Sequence, residues 1–206
     1  MALKNDRVQL QFEIQPDYEQ MKKRLILVGN KPFSRDMSAE IDGFDFVVRV
    51  NRMNNYGLSG TRIDGYFLGL YTDFVQKYHG GAHRREIRRA RQVFCQPRVL
   101  RKKPLIFDFI SLEQYAGIET TSWEGCIRDT GIRVPTSTML VLHHLLTTHW
   151  AGEYEIWLTG VDVEGRGQMF RNHTEWNTTR HKDCGAEEER WLRSLIGNRN
   201  IKFIKI

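Results

Sequence analysis

Two short apolar runs in this sequence each lead into a glycine and a residue able to bind a ligand. Leu25–Val28 leads into Gly29 and Asn30, and a second run leads into Gly160 and then Asp162. A glycine lets the main chain approach a nucleotide closely, and an Asn amide both donates and accepts hydrogen bonds. In an α/β fold, ligands bind at the carboxyl ends of strands. The pattern favours a nucleotide site, with ordinary turns as the alternative.

The run from Pro135 to Leu142 predicts the start of a helix. Proline fits the first turn because it lacks an N–H that would have no partner there. The hydroxyls of Thr136, Ser137 and Thr138 are able to cap such a helix. A helix N-terminus with free N–H groups and three hydroxyls is suited to bind an anion. A plain capped helix is the alternative.

Two histidines follow the second glycine in a polar loop. His173 and His181 lie in a segment rich in Gly, Asn and Thr that runs into the last predicted helix. The pKa of histidine lies near working pH, so either side chain is a candidate general base, with an ordinary surface histidine as the alternative. The other histidines near the candidate helix are expected to pack or to end it: His143, His144 and His149.

A strongly basic stretch stands apart from these candidates. From His83 to Lys103 the chain holds seven Arg and two Lys against one Glu, a local charge of +8 in a chain of net charge +6. Ile87 and Ala90 recur at helical spacing, which predicts an amphipathic helix. Its arginines form a solvated face, or contact an anionic membrane or phosphorylated acceptor, or bind nucleic acid. These arginines are Arg84, Arg85, Arg88, Arg89 and Arg91.

The composition indicates one globular domain over residues 1–206. Hydrophobic residues make up 40% of the chain and charged residues 27%, which is typical of soluble proteins. No apolar run approaches the roughly 18 residues that span a bilayer, and the first twenty residues do not resemble a secretory signal. Three cysteines without close spacing indicate neither a disulfide framework nor a zinc site, so a cytoplasmic location is expected. They are Cys95, Cys126 and Cys184.

Alternating runs of strand and helix character predict an α/β fold with a mainly parallel sheet covered on both faces. The predicted strands are Leu25–Val28, Phe46–Val50, Tyr66–Leu70, Gln92–Cys95, Glu155–Leu158 and Ile201–Ile204. The predicted helices are Arg84–Ala90, Thr136–Thr148 and Ala186–Ile196. The stretch Pro104–Ile132 is less regular and is expected to be a helical excursion or a lid.

Taken in order, these segments resemble the motifs of the sialyltransferases, in both the animal and the bacterial families. The counterparts of the animal large motif are Val28–Asn30, Ile41–Asp42, Val48–Asn51 and Gly60–Arg62. The animal small motif is similar to Pro135–Leu142, and a bacterial Leu-Ser-Gly-Ile-Asp motif is similar to Leu158–Asp162. The two histidine motifs of the family resemble His173–Glu175 and His181 with Glu187. The resemblance covers residues 25–206.

The resemblance implies a Rossmann-like, nucleotide-binding domain of the GT-A-variant type. It implies an inverting transferase in glycan biosynthesis that moves sialic acid from a CMP-linked donor to an oligosaccharide or glycolipid hydroxyl. By the family's roles, His181 is the general base, and no metal or other cofactor is needed. The residues implied to bind the donor are Gly29, Asn30, Asn51, Thr136, Ser137, Thr138, Gly160 and Asp162.

The sequence departs from the family pattern at several positions. Thr138 replaces the glycine of the small motif. Glu164 and Phe170 stand where bacterial members place tyrosines that hold the leaving phosphate. Cationic donors are candidates to replace those tyrosines, namely Arg166, Arg171 and His173. The spacing from His181 to Glu187 is longer than in the animal motif, and Asp162 with Glu164 imitates an Asp-x-Asp metal motif, so a divalent ion remains an alternative.

Two rival functions remain open at this point. The same nucleotide site would serve a transferase for another CMP-activated acidic sugar such as Kdo. A non-catalytic module that binds a nucleotide or nucleic acid through the basic stretch is the rival from another class. For the transferase, nucleic acid is not the expected partner, and the basic stretch predicts peripheral contact with the inner face of the membrane.

Overall fold

The computed structural model describes residues 22–53, 55–69, 83–161, 179–198 and 201–206, with the backbone alone at 103 and 179–183. Within them a seven-stranded, all-parallel sheet forms the centre of the molecule. Its strands are β1 (Lys23–Val28), β2 (Phe46–Val50), β3 (Gly65–Leu68), β4 (Gln92–Cys95), β5 (Glu119–Thr120), β6 (Tyr154–Thr159) and β7 (Lys202–Phe203). The predicted α/β class with a parallel sheet is confirmed.

Nine helices of the described residues surround this sheet. They are α1 (Ser38–Asp42), α2 (Arg84–Ile87), α3 (Pro97–Leu100), α4 (Lys103–Ile106), α5 (Leu112–Ala116), α6 (Trp123–Thr130), α7 (Ser137–Thr147), α8 (Trp150–Glu153) and α9 (Thr179–Gly197). None of the helices in the described ranges is long and apolar enough to cross a membrane.

The central strands form because their residues are apolar on both faces. Leu25 and Leu27 of β1 pack under α7 and α9, in a cluster with Leu142 and Leu192. Ile26 and its neighbours on the other face pack against the α1 side of the sheet. Side chains alternate between faces along a strand, so a parallel sheet covered on both sides needs such continuous apolar runs.

The order of the strands reverses beside β1. The sheet runs β5-β4-β3-β2-β1-β6-β7, so the chain builds outward from β1 to β5 and then returns to the other side of β1 with β6. A ligand crevice is expected outside the carboxyl ends of strands at such a switch point. Here those ends are the ends of β1 and β6.

Two of the three predicted helices differ from the observed helices by more than one residue at one end. The basic helix expected over Arg84–Ala90 ends at Ile87, because the N–H groups of Arg91 and Gln92 bond the Asp64 carbonyl at 2.7 and 3.0 Å and bring the chain beside β3. The last helix begins at Thr179 rather than at Ala186. The irregular stretch Pro104–Ile132 contains most of α4, all of α5 and α6, and the short strand β5.

Candidate functional site

The turns that follow β1 and β6 lie against each other at the switch point. The Gly29 N–H donates to the Thr159 carbonyl and the Lys31 N–H to the Gly160 carbonyl, each at 2.8 Å. A Cβ on Gly160, where φ is +66°, would lie 2.7 Å from the Gly29 carbonyl oxygen, and a Cβ on Gly29 would overlap the Gly160 carbonyl. Both glycines therefore permit the close approach of two backbones. That these glycines also border a bound nucleotide stays a prediction.

Asparagine side chains hold the turn after β1. The Asn30 amide donates to the Val50 carbonyl at 3.2 Å. Buried Asn55 donates to the Lys31 carbonyl at 2.6 Å and accepts from the Phe33 N–H at 3.2 Å. The sequence reasoning missed Asn55, and its place in the Asn-rich stretch after β2 was the available signal.

Asn51 joins three elements of the site. It follows β2 with a φ of +45°, a conformation that Asn adopts more readily than most residues. Its Oδ1 accepts from the Gly69 N–H after β3 at 3.0 Å. Its Nδ2 donates to the Ser137 Oγ at 2.7 Å. The structure thus brings together two predicted site residues that are 86 positions apart.

A second set of contacts holds the loop that follows β2, where Asn51 lies. The Asp42 carboxylate accepts from the N–H groups of Thr61 and Arg62 at 2.9 and 3.1 Å. Arg49 is buried and donates to the Ser59 Oγ at 2.6 Å and to the Arg62 carbonyl at 2.8 Å. Burial lowers the pKa of Arg49 to about 10, which leaves it charged at neutral pH. These residues position the loop that follows β2.

The N-terminus of α7 meets Asn51 at this edge of the sheet. Thr136 is the N-cap and Ser137 is the first helical residue, so Pro135 lies before the helix and not in its first turn. The expected hydroxyl cap is wrong for Thr136, whose side chain accepts no helix N–H in the described structure, and its Oγ1 is buried. Thr138 is buried. Ser137 is half-buried, and its Oγ accepts from Asn51 at this end of the helix.

Two carboxylates of α9 hold the segment before α7. Glu187 accepts from the Arg133 N–H at 2.9 Å and from its Nε at 2.6 Å, and these hydrogen bonds hold the Glu187 pKa below its usual value. Glu188 accepts from the Thr136 N–H at 2.6 Å. Burial raises the pKa of Glu188 to about 7, against the lowering effect of the Thr136 hydrogen bonds. Sequence reasoning missed Glu188, because nothing in its acidic run tells which carboxylate faces inward.

Several predicted site residues lie outside the described residues. They are Asp162, Glu164, Arg166, Phe170, Arg171 and His173. Position 181 belongs to the first turn of α9, so the predicted loop histidine is on a helix, and the His181 side chain is outside the description. Among the described residues, no group of three or more His, Cys, Asp or Glu is placed to hold a metal ion.

The histidines of α7 pair with carboxylates, in keeping with their expected packing role. The His143 Nε2 lies 3.0 Å from Asp129 Oδ2, and the His144 Nε2 lies 2.6 Å from Glu119 Oε2. The Glu119 carboxylate also accepts from the Trp150 Nε1 at 3.1 Å. These pairs join α7 to α6, β5 and α8.

The basic stretch presents most of its arginines to solvent. Arg85, Arg88, Arg89 and Arg91 are exposed, while Ile87 is buried. Arg84 departs from the expected basic face: it is half-buried, with its guanidinium 5.7 Å from the Phe109 ring centre. The exposed face is therefore smaller than the sequence predicts.

Comparison with known proteins gives structural neighbours only. No protein-family model matches the sequence, and no curated protein matches it. The structure is similar to the sialyltransferase CstII from Campylobacter jejuni in complex with the substrate analogue CMP-3FNeuAc, with 14% identity, a TM-score of 0.48, and coverage of 89% of this chain and 80% of that chain. A Tyr-to-Phe variant of sialyltransferase Cst-II in complex with CMP is similar at 13% identity, with the same TM-score and coverage.

Proposed function

We propose that this protein is an inverting glycosyltransferase that moves sialic acid from a CMP-linked donor to a hydroxyl of an oligosaccharide or glycolipid acceptor. The observation that carries the proposal is the Asn51–Ser137 hydrogen bond of 2.7 Å beside the carboxyl end of β2. It joins the two sequence segments that resemble the large and small motifs of sialyltransferases. Asn30 also contacts this end of β2, because its amide donates to the Val50 carbonyl.

The local chemistry suits a nucleoside monophosphate. The N-terminus of an 11-residue helix carries the positive end of its dipole and N–H groups that have no partner within the helix, which favour a phosphate. Ser137 adds a hydroxyl and Asn51 an amide beside it. Such fixed donors stabilise a leaving phosphate as its charge develops, so we propose that the departing CMP is held without a resident metal or other cofactor.

In the proposed reaction the acceptor oxygen attacks the anomeric carbon opposite the leaving group. The carbon–oxygen bond to the CMP phosphate breaks with its electron pair on the phosphate, and His181 takes the acceptor proton. We assign protonated His173 to the leaving phosphate, with Arg166 and Arg171 as further cationic donors. Asp162 is assigned to the cytidine or its ribose.

Helical geometry supports the assignment of His181. Position 181 precedes Glu188 by seven residues in α9, which is two turns, so both positions lie on the same side of the helix. That side of α9 contacts the N-cap of α7 through Glu188. A base at position 181 would therefore belong to the side of α9 that meets the nucleotide site.

The proposal is tested by donor hydrolysis and transfer assays in EDTA with CMP-sialic acid and CMP-Kdo. We expect turnover of CMP-sialic acid, reduced about 10²–10⁴-fold in His181→Ala, with nearly unchanged CMP affinity. His173→Ala should weaken CMP binding as well. Turnover of CMP-Kdo alone would identify the rival donor, and turnover of neither donor would favour a non-catalytic module. Near-normal turnover by His181→Ala would show that the base is another residue.

A further inference from the structure

The N-cap of α7 is held by a carboxylate that the reaction does not use. Glu188 of α9 is only 3% exposed, and its Oε1 accepts from the Thr136 N–H at 2.6 Å. Thr136 is the N-cap, and the next residue, Ser137, accepts the hydrogen bond from Asn51. The contact of Glu188 therefore bears directly on the helix end that carries the proposed nucleotide site.

Burial disfavours the ionised form of the Glu188 carboxylate. Carboxylates are almost never buried unless they are paired. Glu188 interacts electrostatically with Glu187 on its own helix and with Cys126 on α6, while Cys184 and Arg133 are partners of Glu187. The Arg133 guanidinium is engaged by Glu187 at 2.6 Å, and burial raises the pKa of Cys126 to about 11, so that thiol is neutral at neutral pH. Glu187 adds a like charge that disfavours ionised Glu188.

We propose that Glu188 is a positioning residue that fixes the N-terminus of α7 through Thr136 and takes up a proton when an anion binds at that helix end. This inference rests on the proposed function, since the anion is the phosphate of the donor or of CMP. A phosphate on the first N–H groups of α7 would lie within about 10 Å of the Glu188 carboxylate, given the 3.8 Å spacing of successive Cα atoms.

The proton uptake follows from the repulsion between these two negative groups. Two charges about 10 Å apart, partly shielded from water, repel enough to change affinity about tenfold. A protonated Glu188 removes that repulsion, while its carbonyl oxygen still accepts from the Thr136 N–H. With a pKa of about 7 for Glu188, this proton is available at neutral pH.

The hydrogen bond from the Thr136 N–H to Glu188 is tested first, in the ligand-free protein. The amide nitrogen and proton shifts of Thr136 are followed by NMR from pH 5.5 to 8.5 in wild type, Glu188→Gln and Glu189→Gln. Glu189 is the matched control because it pairs with Arg193 on the same helix. We expect the Thr136 amide to titrate near pH 7 in wild type and in Glu189→Gln, and to stay constant in Glu188→Gln. A constant shift in wild type would overturn the proposal.

The linkage to anion binding is tested by calorimetric titration with CMP, and with cytidine as the uncharged reference. Glu188→Gln should bind CMP about tenfold more tightly than wild type at pH 8.5 and equally at pH 5.5, with cytidine unaffected at both. Glu188→Leu, which has no acceptor for Thr136, should lose CMP affinity at both pH values.

The outcomes separate the two proposals. If the ratio of the CMP affinities of Glu188→Gln and wild type does not change with pH, the proton linkage is overturned. An equal change in cytidine affinity would overturn it as well. If CMP binds to none of the proteins, the proposed function fails together with the linkage, and the Thr136 amide titration still decides whether Glu188 holds the N-cap.

Discussion

Single residues at the switch point decide whether the two turns can meet. Gly160 has a φ of +66° and its Cα faces the Gly29 backbone, so any side chain there is both strained and obstructed. Gly131, at the end of α6, has a φ of +73° with nothing within 4 Å of an added Cβ. Substitutions at these two glycines therefore separate the cost of a positive φ from the cost of obstructing the close approach of the two backbones.

We expect Gly160→Ala to destabilise the protein by at least about 2 kcal/mol more than Gly131→Ala. The control should lose only the roughly 1 kcal/mol of a left-handed alanine, whereas Gly160→Ala must also displace the Gly29 backbone. Urea unfolding of both variants measures the difference. Equal losses would mean that the β1 and β6 turns are not in close contact.

At the scale of elements, strands were predicted better than helices. Phe46–Val50 and Gln92–Cys95 have the predicted bounds, because a central strand of a parallel sheet is recognisable as a short apolar run. The two-residue strand β5 is too short and too polar to be detected this way. The early end of α2 depends on the Asp64 carbonyl, which no local pattern reveals.

The proximity of Asn51 and Ser137 was predicted through resemblance rather than spacing, and their binding of a nucleotide stays a prediction. The motifs indicated that Asn51 and Ser137 share a site, and their side chains are hydrogen-bonded. Nothing local in the sequence distinguishes buried Glu188 from Glu189, which pairs with Arg193. Burial of one carboxylate depends on how α9 packs against the segment before α7, and this is a property of the tertiary structure.

The packing of α9 predicts an unusual pH dependence of stability. The pKa of Glu188 is raised from 4.5 to about 7 in the folded protein, so its protonated form favours folding. This stabilisation is complete below about pH 4.5 and is lost as pH rises through 7. Relative to Glu188→Gln, wild type should lose about 2–3 kcal/mol of unfolding free energy between pH 5 and pH 8.

Urea unfolding of wild type and Glu188→Gln at both pH values checks this expectation. Glu187→Gln is the control, because the lowered pKa of Glu187 makes its contribution present above about pH 4.5 and lost only in more acidic solution. Stabilities of wild type and Glu188→Gln that run parallel from pH 5 to 8 would contradict the raised pKa.

At the scale of the whole molecule, positive charge is concentrated in the stretch from His83 to Lys103. We propose that the exposed arginines of the basic stretch contact an anionic membrane surface or a phosphorylated glycolipid acceptor, namely Arg85, Arg88, Arg89 and Arg91. Reversing these charges to Glu should lower activity on lipid-linked acceptors and spare activity on small soluble acceptors. The difference in activity on lipid-linked acceptors between wild type and the charge-reversed variant should shrink above about 0.15 M salt, where the Debye length is about 8 Å. Equal loss on both acceptors would instead indicate a structural role.

The central claim is that the crevice beside Asn51 and Ser137 binds CMP. Its most direct test is calorimetric titration of the whole protein with CMP, UMP and CDP in EDTA, with Asn51→Gly as the matched variant, since glycine keeps the φ of +45° and removes only the amide. We predict binding of CMP in preference to UMP and CDP, weakened about 3–10-fold in Asn51→Gly. Equal binding of the three nucleotides, or binding that requires a divalent ion, would contradict the account.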